Sequence, residues 1–352
     1  MRDLSTMDRA ASPPSQVLVL RARLILPAMK IVFAGTPEFA AVALKALLDA
    51  GPDVGFSVVA AYTQPDRPGG RGMHLTASAV KQLALSRGVP VYQPPTLKTP
   101  EAQAELAALA PDLIVAAAYG LILPQAVLDI PRKVLGCGCL NIHASLLPRW
   151  RGAAPVHRAI LAGDTKTGIS IVQMEARFDT GPVMLATHVA IDPRETAGQL
   201  YERLGRIGAS AIVHVITRLV RGYYVAASAQ SSEGVTYADK VANEEIEIDW
   251  SVSAVEIDRK IRAFNPQPGA WTTWQDNKLI IWSANRIADQ APKPGTPPGT
   301  VISDERGRLL IACASSILEI TELQYAEAPR MQASAWIAGR AGARADDRLG
   351  GL

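Results

Sequence analysis

The sequence predicts two domains, an α/β domain built on a mostly parallel sheet and a smaller domain of short strands. Within residues 29–224, apolar strand segments alternate with amphipathic helix segments. A polar stretch at 225–235 interrupts this pattern, and beyond it short apolar segments follow one another with turns between them. The length of 352 residues is also typical of two domains.

The first strand and helix follow from residue 29. Residues 30–34 form a short apolar segment, and Gly35-Thr36-Pro37 makes a turn after it. We expect Thr36 to cap the next helix and Pro37 to occupy its first position. Apolar residues then recur at helical spacing as far as Gly51, where we expect the helix to end.

The same alternation continues through the first domain. Further strands are predicted at 56–62, 89–92, 112–118, 140–142, 168–174 and 183–191, and helices at 78–87, 100–109 and 195–220. Strands that are apolar throughout indicate a parallel sheet covered on both faces, which is a doubly wound, Rossmann-like arrangement. Ligands of such sheets bind beyond the carboxyl ends of the strands.

Shifts in composition set the remaining boundaries. We place an extension at 1–28, the α/β domain at 29–224, a linker at 225–235, a second domain at 236–338 and a frayed tail at 339–352. The extension is expected to be disordered, or to lie upstream of the start that is used. A mitochondrial targeting segment is the alternative, which Asp3 and Asp8 disfavour. Closely spaced short strands predict a small β-barrel for the second domain.

Composition excludes several classes of protein. No apolar run reaches the ~18–20 residues that span a bilayer, so we expect no membrane partner. Three cysteines are too few for a disulfide framework and indicate a reducing, cytoplasmic location. Cys137 and Cys139 lack further Cys or His partners in a ligand pattern, so no metal is expected. The net charge of +3 neither supports nor excludes RNA binding.

Polar residues with catalytic potential follow one predicted strand. Asn141 and His143 lie in the segment Asn-Ile-His-Ala-Ser-Leu-Leu-Pro, and Asp179 begins a later Asp-Thr-Gly. Asn can donate to an oxyanion, His can exchange a proton near neutral pH, and Asp can orient the His. Ser145 lacks the G-x-S-x-G context of a nucleophile, which favours a substrate that supplies its own, such as an amine. An Asn-x-His pair after a strand is also common as a hydrogen-bonded turn, so the residues alone leave both interpretations open.

A series of sequence motifs, in a fixed order along the chain, decides between a catalytic site and a hydrogen-bonded turn. Asn-Ile-His-x-Ser-Leu-Leu-Pro-x-x-Arg-Gly at 141–152, followed by Asp-Thr-Gly at 179–181, resembles the signature of folate-dependent formyltransferases. The fuller string to Pro155 closely resembles the methionyl-tRNA formyltransferase family. So do segments on both sides of it, at 33–40, 63–68, 118–124, 237–240, 248–251 and 261–266. The similarity extends from residue 29 to residue 323.

The resemblance implies a reaction and the residues that carry it. It implies that Asn141 and protonated His143 hold the formyl oxygen as it becomes anionic, while Asp179 holds His143 and helps to move a proton from the amine. Ser145, Leu146, Leu147 and Pro148 match the folate-binding segment. The implied donor is 10-formyltetrahydrofolate, and the implied acceptor is the α-amino group of methionyl-initiator tRNA, used in translation initiation. The family implies no metal.

The resemblance also implies how tRNA is held. The second domain of the family is a barrel that resembles the oligonucleotide-binding fold and helps to hold tRNA. In the Pro- and Gly-rich loop at 64–72, Arg67 and Arg71 are expected to contact phosphates. We expect a monomer.

One departure from the family pattern concerns the residues before Asp179. Arg177 and Phe178 stand where the family usually has a small residue and Leu. If the backbone at Arg177 needs a positive φ, the β-carbon costs about 1–2 kcal/mol there.

Three other interpretations share parts of this pattern. A related formyltransferase acting on an amino sugar nucleotide or on glycinamide ribonucleotide would have the same trio. So would a hydrolase that releases formate from the folate. A catalytically silent binding module belongs to a different class, and the intact set of Asn141, His143 and Asp179 disfavours it.

Overall fold

The computed structural model describes residues 28–69, 74–287, 290–302, 306–339 and 342–350. Arg71 and residues 1–27 of the predicted extension lie outside the described residues. The first domain contains β1 (Met29–Gly35), α1 (Glu38–Val54), β2 (Phe56–Tyr62), β3 (Arg67–Gly69), β4 (His74–Thr76), α2 (Ala79–Ser86), β5 (Val91–Tyr92), α3 (Pro100–Ala108), β6 (Leu113–Ala117), α4 (Gln125–Leu128), β7 (Cys139–His143), β8 (Arg151–Gly152), α5 (Pro155–Ala162), β9 (Lys166–Gln173), β10 (Val183–Ala190) and α6 (Ala197–Val220). The rest of the chain forms β11 (Tyr237–Ala238), α7 (Ala254–Ala263), β12 (Trp271–Trp274), β13 (Asn277–Ile287), β14 (Val301–Ile302), β15 (Leu309–Ala312), β16 (Ile317–Tyr325), β17 (Met331–Gln332) and α8 (Ala333–Ala338).

A seven-stranded sheet with the order β10-β9-β7-β6-β1-β2-β5 forms the first domain. The strands from β7 to β5 pair in parallel, whereas β9 and β10 are antiparallel to their neighbours. Alternate residues of β1 face two separate cores. Ile31 and Phe33 belong to the core that includes α1 and α6, and Val32 and Ala34 belong to the core that includes α3 and α4. The doubly wound α/β prediction is therefore confirmed.

Two details of the first helix differ from the sequence prediction. Pro37 occupies the cap position of α1 without a side-chain hydrogen bond, and the Thr36 hydroxyl donates instead to the Tyr119 carbonyl at 2.9 Å. The helix continues past Gly51 and ends at Gly55, whose φ is 102°. Gly51 allows the helix to pack closely against the start of β2, because a β-carbon at this position would lie 2.7 Å from the Phe56 carbonyl oxygen.

The second domain is an antiparallel sheet with the order β12-β13-β16-β15-β14, and β17 pairs with β16. The sheet curls into a half-barrel, which confirms the small barrel-like second domain that the sequence predicts. Trp274 is buried on β12 and packs edge-to-face on Trp336 of α8, with ring centroids 5.8 Å apart. None of the helices in the described part of the chain combines the length and the hydropathy that a membrane span requires.

The prediction of a frayed tail at 339–352 is wrong for residues 342–350. Leu349 is fully buried, and its N–H donates to the Gly299 carbonyl at 2.9 Å. Val301 of β14 donates to the Asp347 carbonyl at 2.8 Å. A Gly-, Ala- and Arg-rich composition hid this packing, since backbone pairing and one buried leucine fix the segment.

A short parallel ribbon and an ion pair join the two domains. Arg151 and Gly152 of β8 pair with Tyr237 and Ala238 of β11. Beside this ribbon, Arg158 of α5 pairs with Glu245, with one Nη2–Oε1 distance of 2.9 Å. The Arg158 guanidinium also donates to the carbonyl oxygens of residues 239 and 240.

Replacing Arg158 with alanine should destabilise the protein in a pH-dependent way. Hydrogen bonds from Arg158 hold the pKa of Glu245 at about 2, below its ordinary value of 4.5. Because the pKa of Glu245 is depressed, the stability contributed by its ion pair with Arg158 is complete above about pH 4.5. This contribution is lost as the pH falls toward 2. We expect a loss of about 1–2 kcal/mol at pH 7, since partial exposure weakens the pair.

Urea unfolding of the wild type and the Arg158→Ala variant at pH 7 and pH 3 measures this effect. The difference between the two proteins should shrink at pH 3 without vanishing, because the hydrogen bonds to backbone carbonyls do not titrate. An equal difference at both pH values would show that the Glu245 carboxylate contributes nothing.

Candidate active site

Asn141 and His143 stand at the carboxyl end of β7, inside the sheet between β6 and β9. The two-residue period of a strand places both side chains on the same face. His143 is 5% exposed, and Asn141 is half-buried. This is the edge at which open α/β sheets bind ligands.

Asp179 reaches the same place from the turn after β9. Its Oδ1 accepts from Asn141 Nδ2 at 3.2 Å, and its Oδ2 accepts from the Gly152 N–H at 2.9 Å. His143 Nδ1 lies 3.6 Å from Oδ2. The structure thus brings together all three residues that the sequence singled out, although Asp179 is far from the other two along the chain.

Both ring nitrogens of His143 face oxygen atoms. Nε2 lies 2.9 Å from the Trp150 carbonyl oxygen, and Nδ1 faces the Asp179 carboxylate. Nε2 is within hydrogen-bond distance of the carbonyl oxygen, whereas the 3.6 Å from Nδ1 to the carboxylate is too long for a hydrogen bond. Nδ1 is therefore the ring nitrogen that is open to a ligand.

The predicted folate segment forms a tightly bonded loop after β7. Ser145 is fully buried, and its hydroxyl donates to the Arg149 carbonyl at 2.7 Å. Ser170 of β9 donates to the Ser145 carbonyl at 2.8 Å and accepts from the Leu147 N–H at 3.1 Å. Leu146, Leu147 and Pro148 are half-buried. Ser145 therefore shapes the loop from inside, and the following three side chains are the ones that a ligand could touch.

Asp164 anchors the end of this loop, although no sequence motif pointed to it. It accepts two hydrogen bonds from the Arg149 guanidinium, at 2.8 and 2.7 Å, and a third from Trp150 Nε1 at 2.8 Å. Trp150 has a φ of 63°, and its N–H donates to the Thr236 hydroxyl at 2.9 Å. These bonds fix the carbonyl that faces His143. The one sign of it in the sequence was the adjacent pair Arg149 and Trp150, because the N–H groups of these side chains need a hydrogen-bond acceptor.

The backbone cost considered for Arg177 does not arise. Among residues 175–181, the non-glycine residue with a positive φ is Asp179, at 52°, and Arg177 lies outside the left-handed region. Asp tolerates this conformation better than most residues. Phe178 is 67% exposed.

Arg67 lies at the same edge of the sheet as His143. Its Nη2 donates to Gln64 Oε1 at 2.6 Å, and Gln64 Nε2 donates to the Tyr119 carbonyl at 2.9 Å. Gln64 follows β2 and Tyr119 follows β6, so Arg67 is tied to the carboxyl ends of two parallel strands. Its partner in the prediction, Arg71, is outside the described residues.

The cysteines are buried in the described structure. Burial raises the pKa of the Cys139 and Cys313 thiols to about 12, which opposes metal binding as thiolates. In the described part of the chain, no group of three or more His, Cys, Asp or Glu side chains is arranged to hold a metal ion.

Fold and site together define a formyl transferase. The family model described as formyl transferase matches residues 29–216, and the model of its C-terminal domain matches residues 240–341. The methionyl-tRNA formyltransferase of Thiobacillus denitrificans is 51% identical over 326 residues, which cover 92% of this chain and 100% of that protein. The one from Marinobacter nauticus is 52% identical over 296 residues, covering 84% and 91% of the two chains. The chain belongs to the methionyl-tRNA formyltransferase family.

Solved structures share the fold at lower identity. An N-formyltransferase from Helicobacter canadensis, in complex with folinic acid and dTDP-3-aminofucose, has a TM-score of 0.61 at 16% identity and covers 84% of this chain and 99% of its own. HypX from Aquifex aeolicus, in complex with tetrahydrofolic acid, has a TM-score of 0.58 at 17% identity and covers 89% of this chain and 47% of its own. At these identities the likeness shows the fold alone.

Proposed function

We propose that this chain transfers the formyl group of 10-formyltetrahydrofolate to the α-amino group of methionyl-initiator tRNA, for translation initiation. One observation carries the proposal. Asn141, His143 and Asp179 converge at the ligand-binding edge of the sheet, in a chain that is 51% identical to a methionyl-tRNA formyltransferase over that protein's whole length. Because the proposed acceptor serves translation, we place the enzyme in the cytoplasm. That it acts as a monomer remains a prediction.

Two N–H groups are free to hold the formyl oxygen. Asn141 uses one amide hydrogen for Asp179 and keeps a second. His143 Nδ1 is 3.6 Å from Asp179, which is too long for a hydrogen bond, so this N–H remains available to a substrate oxygen placed beside it. Attack of the amine on the formyl carbon turns that oxygen into an oxyanion, which these two donors stabilise.

Asp179 moves the proton that the reaction displaces. The attacking nitrogen forms a bond to the formyl carbon, the bond from that carbon to the folate nitrogen breaks, and one proton passes from the amine to the folate nitrogen. Asp179 accepts this proton, directly or through a water molecule, and returns it to the leaving nitrogen. The Gly152 N–H on Oδ2 holds the carboxylate in place during both transfers.

The donor is assigned to the loop after β7. Leu146, Leu147 and Pro148 are half-buried, so they offer apolar surface to a flat ring system next to His143. Ser145 is committed inside the loop and acts by shaping it.

The acceptor distinguishes this function from related formyl transfers. Purified protein is incubated with the formyl donor and, in separate reactions, methionyl-initiator tRNA, an amino sugar nucleotide, glycinamide ribonucleotide or no acceptor. We expect formylation of the tRNA alone. Faster formylation of a sugar amine or of glycinamide ribonucleotide, or release of formate without an acceptor, would refute the proposed function.

Arg67→Ala and Arg71→Ala should weaken tRNA binding and flatten its dependence on salt. Removing one arginine–phosphate ion pair should reduce the slope of log K against log salt by about one. A salt titration of tRNA binding measures the slope, and folate titration of the same variants should be unchanged. Arg206→Ala, on the outer surface of α6, is the matched control for the loss of an arginine. An unchanged slope combined with weaker folate binding would place the 64–72 loop at the donor instead.

A further inference from the structure

The segment that connects the two domains contacts both loops of the proposed catalytic site. Ser228 and Val183 exchange two backbone hydrogen bonds, at 2.8 and 2.9 Å. The Thr236 carbonyl accepts from the Arg151 N–H at 2.9 Å, and the Ala238 carbonyl accepts from Ala154 at 3.0 Å. The segment is thus bonded along its length to the first domain.

Gln230, in the middle of this segment, makes four hydrogen bonds with its side chain. Nε2 donates to the carbonyl oxygens of Asp179 and Gly181, both at 2.7 Å. Oε1 accepts from Arg151 Nε at 3.0 Å and from Arg151 Nη2 at 2.7 Å. Both amide hydrogens and the oxygen are therefore used in bonds within the protein.

These bonds act on the backbone that aims the Asp179 carboxylate. Asp179 has a φ of 52°, in the left-handed region that side chains disfavour. Gln230 holds the carbonyls on both sides of Thr180, so the turn cannot rotate without breaking them. Gly181 is also packed closely, since a β-carbon there would lie 1.8 Å from the Gln173 carbonyl oxygen.

Through Arg151, the same amide reaches the other side of the carboxylate. Arg151 precedes Gly152, whose N–H donates to Asp179 Oδ2. Gly152 has a φ of 122° and is confined, because a β-carbon there would lie 2.8 Å from the Ala238 carbonyl oxygen. One side chain thus fixes the turn that carries Asp179 and the strand that donates to it.

We propose that Gln230 is a positioning residue for formyl transfer, which holds Asp179 in its reactive orientation from the segment between the domains. This inference rests on the proposed role of Asp179. A positioning residue affects the rate of the chemical step and leaves the affinity for both substrates unchanged.

Two variants separate the functions of the Gln230 amide. Gln230→Leu removes all four hydrogen bonds. Gln230→Glu has the same shape and keeps an acceptor for Arg151, but it presents oxygen atoms to the carbonyls of Asp179 and Gly181. We expect kcat to fall about 10- to 100-fold in both, because a small displacement of a reacting group has effects of this order. KM for the donor and for tRNA should stay within about twofold.

Steady-state kinetics with methionyl-initiator tRNA, and thermal melting of each protein, test the proposal. Ser232→Ala, at an exposed position in the same segment, is the control and should match the wild type. In an Asp179→Asn background, the added effect of Gln230→Leu should nearly disappear, because residues that act through one group are not additive. If Gln230→Leu does not fold, Gln230→Glu retains the Arg151 contact and carries the test.

Failure of the Gln230 inference and failure of the proposed role of Asp179 would give different kinetic results. A near-wild-type kcat in both Gln230 variants, with Asp179→Asn impaired, would overturn this inference alone. So would full multiplication of the Gln230→Leu and Asp179→Asn losses, because it would show that Gln230 acts independently of Asp179. A wild-type rate for Gln230→Glu would overturn the part of the inference that depends on the hydrogen bonds to the Asp179 and Gly181 carbonyls. A near-wild-type Asp179→Asn enzyme would remove the proposed catalytic role of Asp179 and this inference with it.

Discussion

Replacing Asn141 or His143 with alanine is expected to slow formyl transfer by ~10²–10³ and to leave the fold intact. Each variant removes one of the two N–H groups assigned to the formyl oxygen. Asn141 is half-buried, and the ring nitrogens of His143 face only a carbonyl and the Asp179 carboxylate, so neither substitution breaks the backbone pairing of the sheet. Single-turnover formylation of methionyl-tRNA measures the rate, and circular dichroism verifies folding.

His188→Ala supplies the matched control for the loss of a histidine. His188 is exposed on β10, which β9 separates from β7 in the sheet, and its variant should retain the wild-type rate. A folded Asn141→Ala or His143→Ala protein with nearly wild-type rate would contradict the assignment of that residue to the oxyanion.

Asp179→Asn is expected to reduce the rate by ~10²–10⁴, the range associated with removal of a general acid–base group. The amide has nearly the same shape but cannot accept a proton from the amine. Asn has only one side-chain oxygen, so its NH₂ group must face either Asn141 Nδ2 or the Gly152 N–H, which are both donors. One native hydrogen bond is therefore replaced by a repulsive contact between two donors. Rapid-quench measurement of the chemical step reports the loss, with KM for the folate as an internal check on the site. A rate within about threefold of the wild type would show that Asp179 does not take part in proton transfer.

Local pattern predicted the sheet and singled out Asn141, His143 and Asp179 as a possible catalytic set, with a hydrogen-bonded turn as the alternative. The alternation of apolar strands with helices indicated the doubly wound domain, and the position of Asn141 and His143 just past a strand end indicated where ligands of such sheets bind. The resemblance to formyltransferases then favoured a catalytic site that contains all three residues. The approach of Asp179 depends on the pairing of β7 with β9, which no local pattern encodes.

The residues that hold the site in place could not be predicted from the sequence. Asp164, Gln230 and Thr236 belong to no motif, and each acts through backbone groups or through side chains distant in sequence. The same limitation explains the errors at Thr36 and in the tail. In both places a long-range hydrogen bond or buried contact overrode the preference of the local residues.

Asn141 and His143 together are proposed to support formyl transfer to methionyl-initiator tRNA. The most direct measurement follows a single turnover with the donor labelled in its formyl group, for the wild type and for the Asn141→Ala/His143→Ala double variant. We predict labelled formylmethionine from the wild-type reaction after the tRNA is deacylated, and a rate at least ~10²-fold lower in the folded double variant. Label released as formate by the wild type, or an undiminished transfer rate in the double variant, would contradict this proposal.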